Sequence, residues 1–410
     1  MHHPEPDAAG HRIEHDFLVR AATLLNAYGT PSHRLERVLV HLAGVLGVHA
    51  SFYSTPTSVM ASFGRGADER VHLARVEPGE VNLGKLVEFD EVLEDVEHGR
   101  LDCARGLQRL EALAASPPRH GRLPVASAFA VASAGAALLF GGGPAEILGS
   151  ALLGGIVFLL AVLLSSRPGS DGTVEPIAAF FAALVASLVA RLALPLDDRL
   201  VTLASLIVLL PGLTLTTGMI ELSTRHLVAG TARLARAGVL FLTLLLGVAL
   251  AWRVAAAVAP EPLARGPLTP LPDWTQLAVL VPLPLAFAVL FDARRREWPI
   301  IFAASVLGSL TTRYGAAAFG VEVAPFLGAL AVGVVGNAYA RTADRPALVA
   351  ITPGLLVLVP GSLGYRSLTS FLEQGVVEGM DGAFRTGFVA ISLVCGLLAA
   401  NLVLPPRRIL

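Results

Sequence analysis

Beyond residue 123, apolar positions gather into long unbroken runs instead of alternating with polar ones. Ten runs can be read, at 124–140, 145–164, 176–194, 200–219, 238–258, 275–291, 298–312, 321–340, 347–364 and 383–404. Each is near the length that a helix needs to cross a bilayer. The earlier part follows a different pattern. Ile13, Phe17, Leu18, Ala21, Leu24 and Leu25 recur at helical spacing, and Leu35, Val38, Leu39, Leu42, Val45 and Leu46 repeat it. Short runs at 49–53, 58–63 and 71–74, set apart by Pro56 and Gly64-Arg65-Gly66, predict an antiparallel sheet. Leu83, Leu86, Val87, Val92, Leu93 and Val96, then Leu101, Ala104, Leu107, Leu110 and Leu113, predict two closing helices. The expected fold is a small soluble α+β domain at 13–116, a linker at 117–123 with a basic end, and an α-helical membrane part of about ten transmembrane helices.

The membrane part carries an internal repeat. The stretch Leu209–Gly238 returns 149 positions later, so that Pro211 meets Pro360, Gly212 meets Gly361, Gly230 meets Gly379, Arg236 meets Arg385 and Gly238 meets Gly387. Upstream, Pro176 meets Pro325 in the same register. Proline inside an apolar run has no N–H to give, so the helix must bend or break there. Matching breaks in two halves are the best sequence pointer to a transporter site. The halves are 124–260 and 275–410, joined by an extracytoplasmic linker at 261–274. Five spans per half is an odd number, so the second half enters the membrane in the opposite sense and the repeats are inverted.

Charge sets the orientation. With an inside start, Arg167, Arg225, Arg233, Arg236, Arg294 to Arg296, Arg341 and Arg345 fall on one side, and Arg199, Arg265, Arg313 and Arg366 on the other. The asymmetry follows the positive-inside rule. Residues 1–12, expected to be a disordered start, contain no apolar core of a signal peptide, so the N-terminus is expected in the cytoplasm and the chain in the cell membrane as a multi-pass protein.

Composition narrows the function classes. The hydrophobic fraction is 54% and the charged fraction 15%, with a mean hydropathy of +0.65, outside the range of ordinary soluble domains. A net charge of -1 gives no basic field for nucleic acid. Cys103 and Cys395 are too few and too separate for a disulfide framework or a metal site. No GxxxxGK[ST] loop argues for direct ATP drive, and no filter loop argues for a channel. His33, His41 and His49 recur every eight residues, but eight residues advance a helix about 80° beyond two turns; solvated or capping histidines are expected. The acidic run Asp90, Glu91, Glu94, Asp95 and Glu97 is expected to be an exposed helix face. No nucleophile–base pairing or cofactor motif argues for an enzyme.

At this point a family resemblance is visible. The chain resembles the threonine/serine exporter family through Leu25-Asn26-Ala27-Tyr28-Gly29-Thr30-Pro31-Ser32-His33-Arg34-Leu35-Glu36, Pro56-Thr57 followed by Ser58 to Ser62, and Val81-Asn82-Leu83 leading to Gly99-Arg100-Leu101. In the membrane part it rests on Pro211-Gly212, Glu221-Leu222, Gly230, Arg233-Leu234, Pro360-Gly361 and Tyr365-Arg366. No single motif is specific; the ordered set is. The resemblance implies export of small hydroxyl amino acids driven by the proton motive force. Where the family's first-half motif carries Asp, this chain has Glu221, one methylene longer.

A zwitterion crossing a bilayer needs partners for both charges. Half-helix N-termini offer N–H groups to a carboxylate, and unwound carbonyls take an ammonium. The breaks at Pro211, Gly212, Pro360 and Gly361 would expose such groups, with Thr214, Thr216, Thr217 and Ser362 beside them as candidate substrate partners. The competing reading is that each break only kinks its helix and each hydroxyl bonds its own backbone. Glu175 and Glu322 are candidates for a coupling proton, though both lie near span ends where a carboxylate stays wet. Glu221 and Arg225, four apart, are expected to pair. Asn337 is expected to bond across helices, and Arg191 to reach the outer interface.

The reading is a secondary transporter exporting threonine, serine or related amino acids, with protons and the lipid bilayer as partners, no cofactor and no metal, and homo-oligomerisation left open. The alternative is a membrane-anchored sensor or enzyme acting through its soluble domain.

Overall fold

The computed structural model describes residues 12–167, 169, 172–259, 271–373 and 375–406. The expected disordered start and most of the 261–274 linker lie outside the described residues.

The N-terminal region contains α1 (Arg12–Ala27), α2 (Ser32–Val45), β1 (Ala50–Thr55), β2 (Ser58–Phe63), β3 (Arg70–Arg75), α3 (Leu83–Glu97) and α4 (Cys103–Ala115). The strands form one antiparallel sheet in the order β1-β2-β3. Phe17, Leu18, Leu25, Leu35, Leu39 and Leu110 fill its core. Asn82 and Asp102 cap α3 and α4, accepting from the N–H groups of Lys85 and Arg105. Burial, with Glu14 and Asp102 nearby, pushes the Cys103 thiol up to about 11, which keeps it protonated and unreactive.

The rest is helical: α5 (Arg122–Leu139), α6 (Pro144–Ser165), α7 (Val174–Leu192), α8 (Asp198–Ser205), α9 (Gly212–Ser223) and α10 (Leu227–Val258), then α11 (Asp273–Ala278), α12 (Pro282–Leu290), α13 (Trp298–Phe319), α14 (Ala324–Ala343), α15 (Leu348–Leu356), α16 (Gly361–Glu373) and α17 (Val376–Val403). Among the described residues, 6 helical stretches are long and apolar enough to cross a membrane. Side-chain size is sorted in the way lipid imposes. On α7 the buried positions are Ala178, Ala179, Ala182, Ala183, Ala186, Ser187 and Ala190, whereas Phe181, Val185 and Leu192 face outwards. Leu148, Leu152, Ile156, Leu159 and Leu163 do the same on α6. Small residues let helices approach closely, while large apolar ones need no protein partner where the solvent is hydrocarbon. The chain is an α-helical membrane protein with an N-terminal α+β region.

Elements recur at the 149-residue offset: α7 with α14, α8 with α15, α9 with α16 and α10 with α17. The matched glycines explain why. A Cβ on Gly230 would lie 2.8 Å from the carbonyl oxygen of Gly218, and one on Gly379 would collide with the Phe371 ring, so each glycine lets the long helix lie against the half-helix before it. Gly247 and Gly396, a pair that the sequence reading does not single out, sit against the carbonyl oxygens of Pro176 and Phe326 in the same way.

Several expected runs differ from the helices that form. The runs at 200–219 and 347–364 are each two helices, α8 with α9 and α15 with α16. The run at 275–291 is divided between α11 and α12, where Pro282 starts the second piece. The helices containing 238–258 and 383–404 begin earlier, at Leu227 and Val376. The added turns carry Thr231, Arg233 and Arg236 in one helix and Glu378 and Asp381 in the other, which break the apolar run without breaking helical hydrogen bonding.

The N-terminal region caps one end of the helix bundle, and the two share one apolar cluster that includes Leu83, Leu86, Phe291, Leu348 and Val349. Asp292 turns the chain after α12 with a left-handed φ of 51°. Its carboxylate accepts from Asn82 Nδ2 at 3.0 Å and from the N–H groups of Arg119 and His120 at 2.9 and 3.2 Å. The acidic run of α3 is therefore not simply an exposed face. Glu94 and Asp95 hold Arg100, Asp90 is buried, and Glu91 takes Arg294 at 3.0 Å and also Arg345. Burial alone would raise the Glu91 pKa, but the bonds from Arg294 and Arg345 outweigh it and hold the carboxyl below its usual range.

Candidate functional site

The two helix breaks form where the sequence withholds hydrogen bonds. Before Pro211 the chain loosens into short turns, Ile207 N–H donating to Ala204 and Leu209 N–H to Leu206, and Pro211 itself leaves the helical region with ψ at 42°. At the second break, Val359 N–H still reaches Leu355, and a new helix begins at Gly361 with Gly364 N–H donating to Pro360. The breaks touch. A Cβ on Gly212 would lie 2.6 Å from Val359 Cγ2 and 3.3 Å from the Gly361 nitrogen, and one on Gly361 would lie 3.2 Å from Gly212 Cα. The fold thus brings Pro211, Gly212, Pro360 and Gly361, far apart in sequence, to one crossing at which α9 and α16 both start. Two positive half-helix ends meet there.

The hydroxyl candidates divide. Thr216 is buried and its Oγ1 donates to the Gly212 carbonyl at 3.1 Å, the local backbone bond of the competing reading. Thr217 is half-buried and lines a cavity together with Thr216 and Leu213. Thr214 and Ser362 are half-buried on the first turns of α9 and α16.

The charged candidates lie elsewhere. Glu221 is nine residues along α9 from Gly212, about 14 Å at helical rise, at the capped end of the bundle. It is fully buried. The expected pair with Arg225 does not form: Arg225 sits in a turn with a left-handed φ of 66° and is exposed. Glu221 bonds Arg233 Nε on α10 at 2.9 Å, and its other oxygen accepts from the Ser32 N–H at 2.9 Å. The neighbouring His226 reaches Glu36 at 3.2 Å, and Glu36 accepts from Ser54 N–H at 2.8 Å. Glu175 is half-buried in the first turn of α7, and Glu322 is exposed just before α14. Neither is at the crossing. Asn337 donates across helices to Asn401 at 2.9 Å and to the Leu404 carbonyl at 2.8 Å. Arg191 reaches the Ala259 carbonyl at 3.5 Å.

The cavity next to the crossing has a volume of about 80 Å³. Its membrane-side wall includes Thr216 and Thr217 of α9, Thr352 of α15 and Asn401 of α17, and its other wall is the α1–α2 loop with Tyr28, Thr30, His33 and Arg34. Burial first, then the charges of Arg34, His226, Arg37 and Arg233, lowers the His33 pKa to about 3, so its imidazole is neutral. Sequence reasoning did not find the loop as a site wall, although all four residues belong to the motif that carries the family resemblance. It also passed over two carboxylates at the uncapped end. Glu146 accepts from Gly143 and Asp197 N–H groups at 2.9 and 3.1 Å, and Asp198 accepts from Ser187 Oγ at 2.7 Å. A glutamate within the run 145–164 was the available signal. No cluster of metal ligands occurs among the described residues.

Comparison with known proteins gives two family matches. Residues 16–255 match the model described as "Putative threonine/serine exporter", and residues 277–403 match the model described as "Threonine/Serine exporter, ThrE". The boundary between the matches falls between the end of α10 and α11. Similar curated proteins include "Pheromone-regulated membrane protein 10" of Eremothecium gossypii, 26% identical over 96% of this chain and 56% of that protein. The protein of the same name in Saccharomyces cerevisiae is 28% identical over 88% of this chain and 48% of its own length. "Uncharacterized protein C7D4.12c" of Schizosaccharomyces pombe is 26% identical over 90% and 49%. The chain spans about half the length of the curated relatives it matches. No solved structure matches it. With one model covering the chain from α1 to α10 and the other from the end of α11 to α17, the chain belongs to the threonine/serine exporter family.

Proposed function

We propose that this chain is a secondary transporter that exports threonine and serine, driven by the proton motive force, with the crossing of α9 and α16 at the centre of an alternating-access cycle. In this reading there are ten spans, α8–α9, α11–α12 and α15–α16 each counting as one broken span. The halves are inverted, the capped end is cytoplasmic, and the protein resides in the cell membrane. The observation that carries it is the Gly212–Gly361 contact, where two half-helices begin at one point. Opposed chain direction supports inversion: α9 ends at the N-terminal region through Glu221 and Ser32, whereas α15 begins beside it, Leu348 lying in the shared cluster. The arginine-bearing turns at Arg294 and Arg345 also face that region, as the positive-inside rule requires of a cytoplasmic side.

Two positive helix ends suit a carboxylate, and the carbonyls freed by the breaks suit an ammonium. Pro211, Gly212, Pro360 and Gly361 shape this point, and Thr214, Thr217 and Ser362 are the hydroxyls nearest in sequence with side chains not fully buried. Glu221, Glu175 and Glu322 are the carboxylates proposed to carry the proton; of these Glu221 is the buried one. Asn337 holds α14 to the end of α17.

The test is efflux of preloaded threonine and serine from proteoliposomes under an imposed pH gradient, comparing wild type with Gly361→Ala. Gradient-driven efflux that the variant loses while remaining folded is the expected result. Equal efflux from both proteins removes the crossing from the cycle, and failure of the wild type to move any small amino acid favours the sensor reading.

A further inference from the structure

The helix wall of the cavity at the capped end has a counterpart at the other end of the bundle. Carried across at the 149-residue offset, the lining residues Thr216, Gly333, Thr352, Leu355, Leu397 and Asn401 become Tyr365, Leu184, Leu203, Leu206, Val248 and Trp252. These six also meet. They belong to one apolar cluster between α7, α8, α10 and α16, in which Tyr365 is 3% exposed. The repeat therefore relates a hollow to a plug: where the cavity wall has Gly333, Thr216 and Asn401, its counterpart has the larger Leu184, Tyr365 and Trp252.

Two further lining residues, Thr217 and Leu348, become Arg366 and Arg199, and both arginines lie against aromatic rings beside the plug. The Arg199 guanidinium is 5.8 Å from the Trp252 ring centre, and that of Arg366 is 4.7 Å from the Phe140 ring centre. Arg366 is exposed, and its guanidinium makes no hydrogen bond or ion pair among the described residues. The carboxylate whose charge acts on it, Asp197, accepts instead from the N–H groups of Arg199 and Leu200. A cation stacked on a ring at the membrane edge needs no function of its own. Its place in the repeat is what singles Arg366 out. It stands five residues, about 7.5 Å at helical rise, beyond Gly361, as Thr217 does beyond Gly212, and its forked donors match a carboxylate.

We propose that the cluster around Tyr365 and Trp252 is the closed outer gate of the transport path, and that Arg366 takes the carboxylate of the amino acid when this gate opens. In an inverted repeat the two sides of the path are built from corresponding helices and open in turn. Opening moves the two aromatic side chains apart and leaves, between α7, α8, α10 and α16, the counterpart of the cavity on the other side. The inference rests on the transport reading and adds the residues that meet the substrate on its way out.

The experiment uses the full chain in proteoliposomes of one orientation, with threonine exchange measured from each face. Arg366→Gln should raise the apparent KM at the outer face at least about tenfold, the worth of a hydrogen bond to a charged group, while the inner-face KM stays within about twofold. Arg366→Lys should fall between, since it keeps the charge and loses the fork. With no protein acceptor to lose, the guanidinium should leave the unfolding temperature level. The gate is read separately, with Tyr365→Cys and Trp252→Cys, each combined with Cys395→Ser; the remaining Cys103 is buried. A membrane-impermeant maleimide added outside should label either variant slowly at rest and several-fold faster during exchange, and one folded variant suffices. Labelling that exchange does not accelerate, or that comes only from the inner face, overturns the gate. An outer-face KM that Arg366→Gln leaves unchanged, or one that rises equally at both faces, overturns the role of Arg366, and normal export in those cases leaves the transport reading intact. A wild type that moves neither threonine nor serine overturns both.

Discussion

The break between α8 and α9 and the break between α15 and α16 use one backbone device with different surroundings. Each pairs a proline with a glycine, each starts a new half-helix at that glycine, and each is followed by a long helix packed through a matched glycine, Gly230 or Gly379. At the far ends of the two half-helices the resemblance stops. Nine residues after Gly212 stands Glu221, buried, bonded to Arg233 and gripping the N-terminal region; nine residues after Gly361 stands Ser370, whose hydroxyl merely returns to the Arg366 carbonyl at 2.9 Å. What the halves share is the means of breaking a helix. What separates them is which end of the half-helix is tied to another part of the protein.

The largest test of that contrast is removal of the tie. Glu221→Ala leaves Arg233 and the Ser32 N–H unpaired in a buried setting and should cost about 3–5 kcal/mol, whereas Ser370→Ala should cost less than about 0.5 kcal/mol. Thermal unfolding in detergent measures the two, and equal losses would end the asymmetry. Next, Gly212→Ala forces a methyl against Val359 and the facing backbone, an overpacking worth about 1–3 kcal/mol, and should abolish export even where the protein folds. Export at the wild-type rate would mean that the crossing tolerates separation.

Acid should loosen the tied half selectively. His33 is neutral in the folded protein, with a pKa of about 3 against 6.5 in the unfolded chain. Below pH 6.5 the unfolded chain binds a proton that the folded one refuses, so stability falls by up to about 1.4 kcal/mol per pH unit as pH drops towards 3. Proteolytic release of the N-terminal region should therefore rise between pH 6.5 and 5 in the wild type, and His33→Gln should flatten that portion of the profile. An unchanged slope in the variant would assign the acid response to other groups. The smallest effect is expected from the hairpin glycines. Gly230→Ala meets a fixed carbonyl at 2.8 Å, while Gly379→Ala meets the Phe371 side chain, which can rotate away. Relative unfolding temperatures should place Gly230→Ala below Gly379→Ala.

The sequence discloses the features that depend on local chemistry. Both breaks are legible because proline cannot donate, and the helices of the N-terminal region because Phe17, Leu18 and Leu25, or Leu35 and Leu39, repeat at helical spacing. Partners set by the return of the chain are not legible. Arg225 is the nearest base to Glu221 along a helix, yet a left-handed turn at Arg225 carries it outwards and lays α10 back along α9, delivering Arg233 instead. The same limit applies to Tyr28 and Thr30. Their sequence shows a turn, and only the docking of that turn over α9, α15 and α17 makes it the wall of a cavity. The exposed-face reading of the acidic run fails for the same reason, since Arg294 and Arg345 arrive from more than two hundred residues away.

A contact between two glycines has the mechanics of a fulcrum. Neither Gly212 nor Gly361 brings a side chain of its own to the contact, where only Val359 and Leu210 pack alongside, so the half-helices can tilt about that point with little to unpack, and displacement grows with distance from it. Glu221 lies about 14 Å along the arm, so a tilt of about 10° carries its carboxylate about 2.4 Å by simple leverage, enough to part it from the Ser32 N–H bonded at 2.9 Å. The long arm ends on a latch, and a small rotation at the middle of the molecule is read at the N-terminal region as a bond made or released.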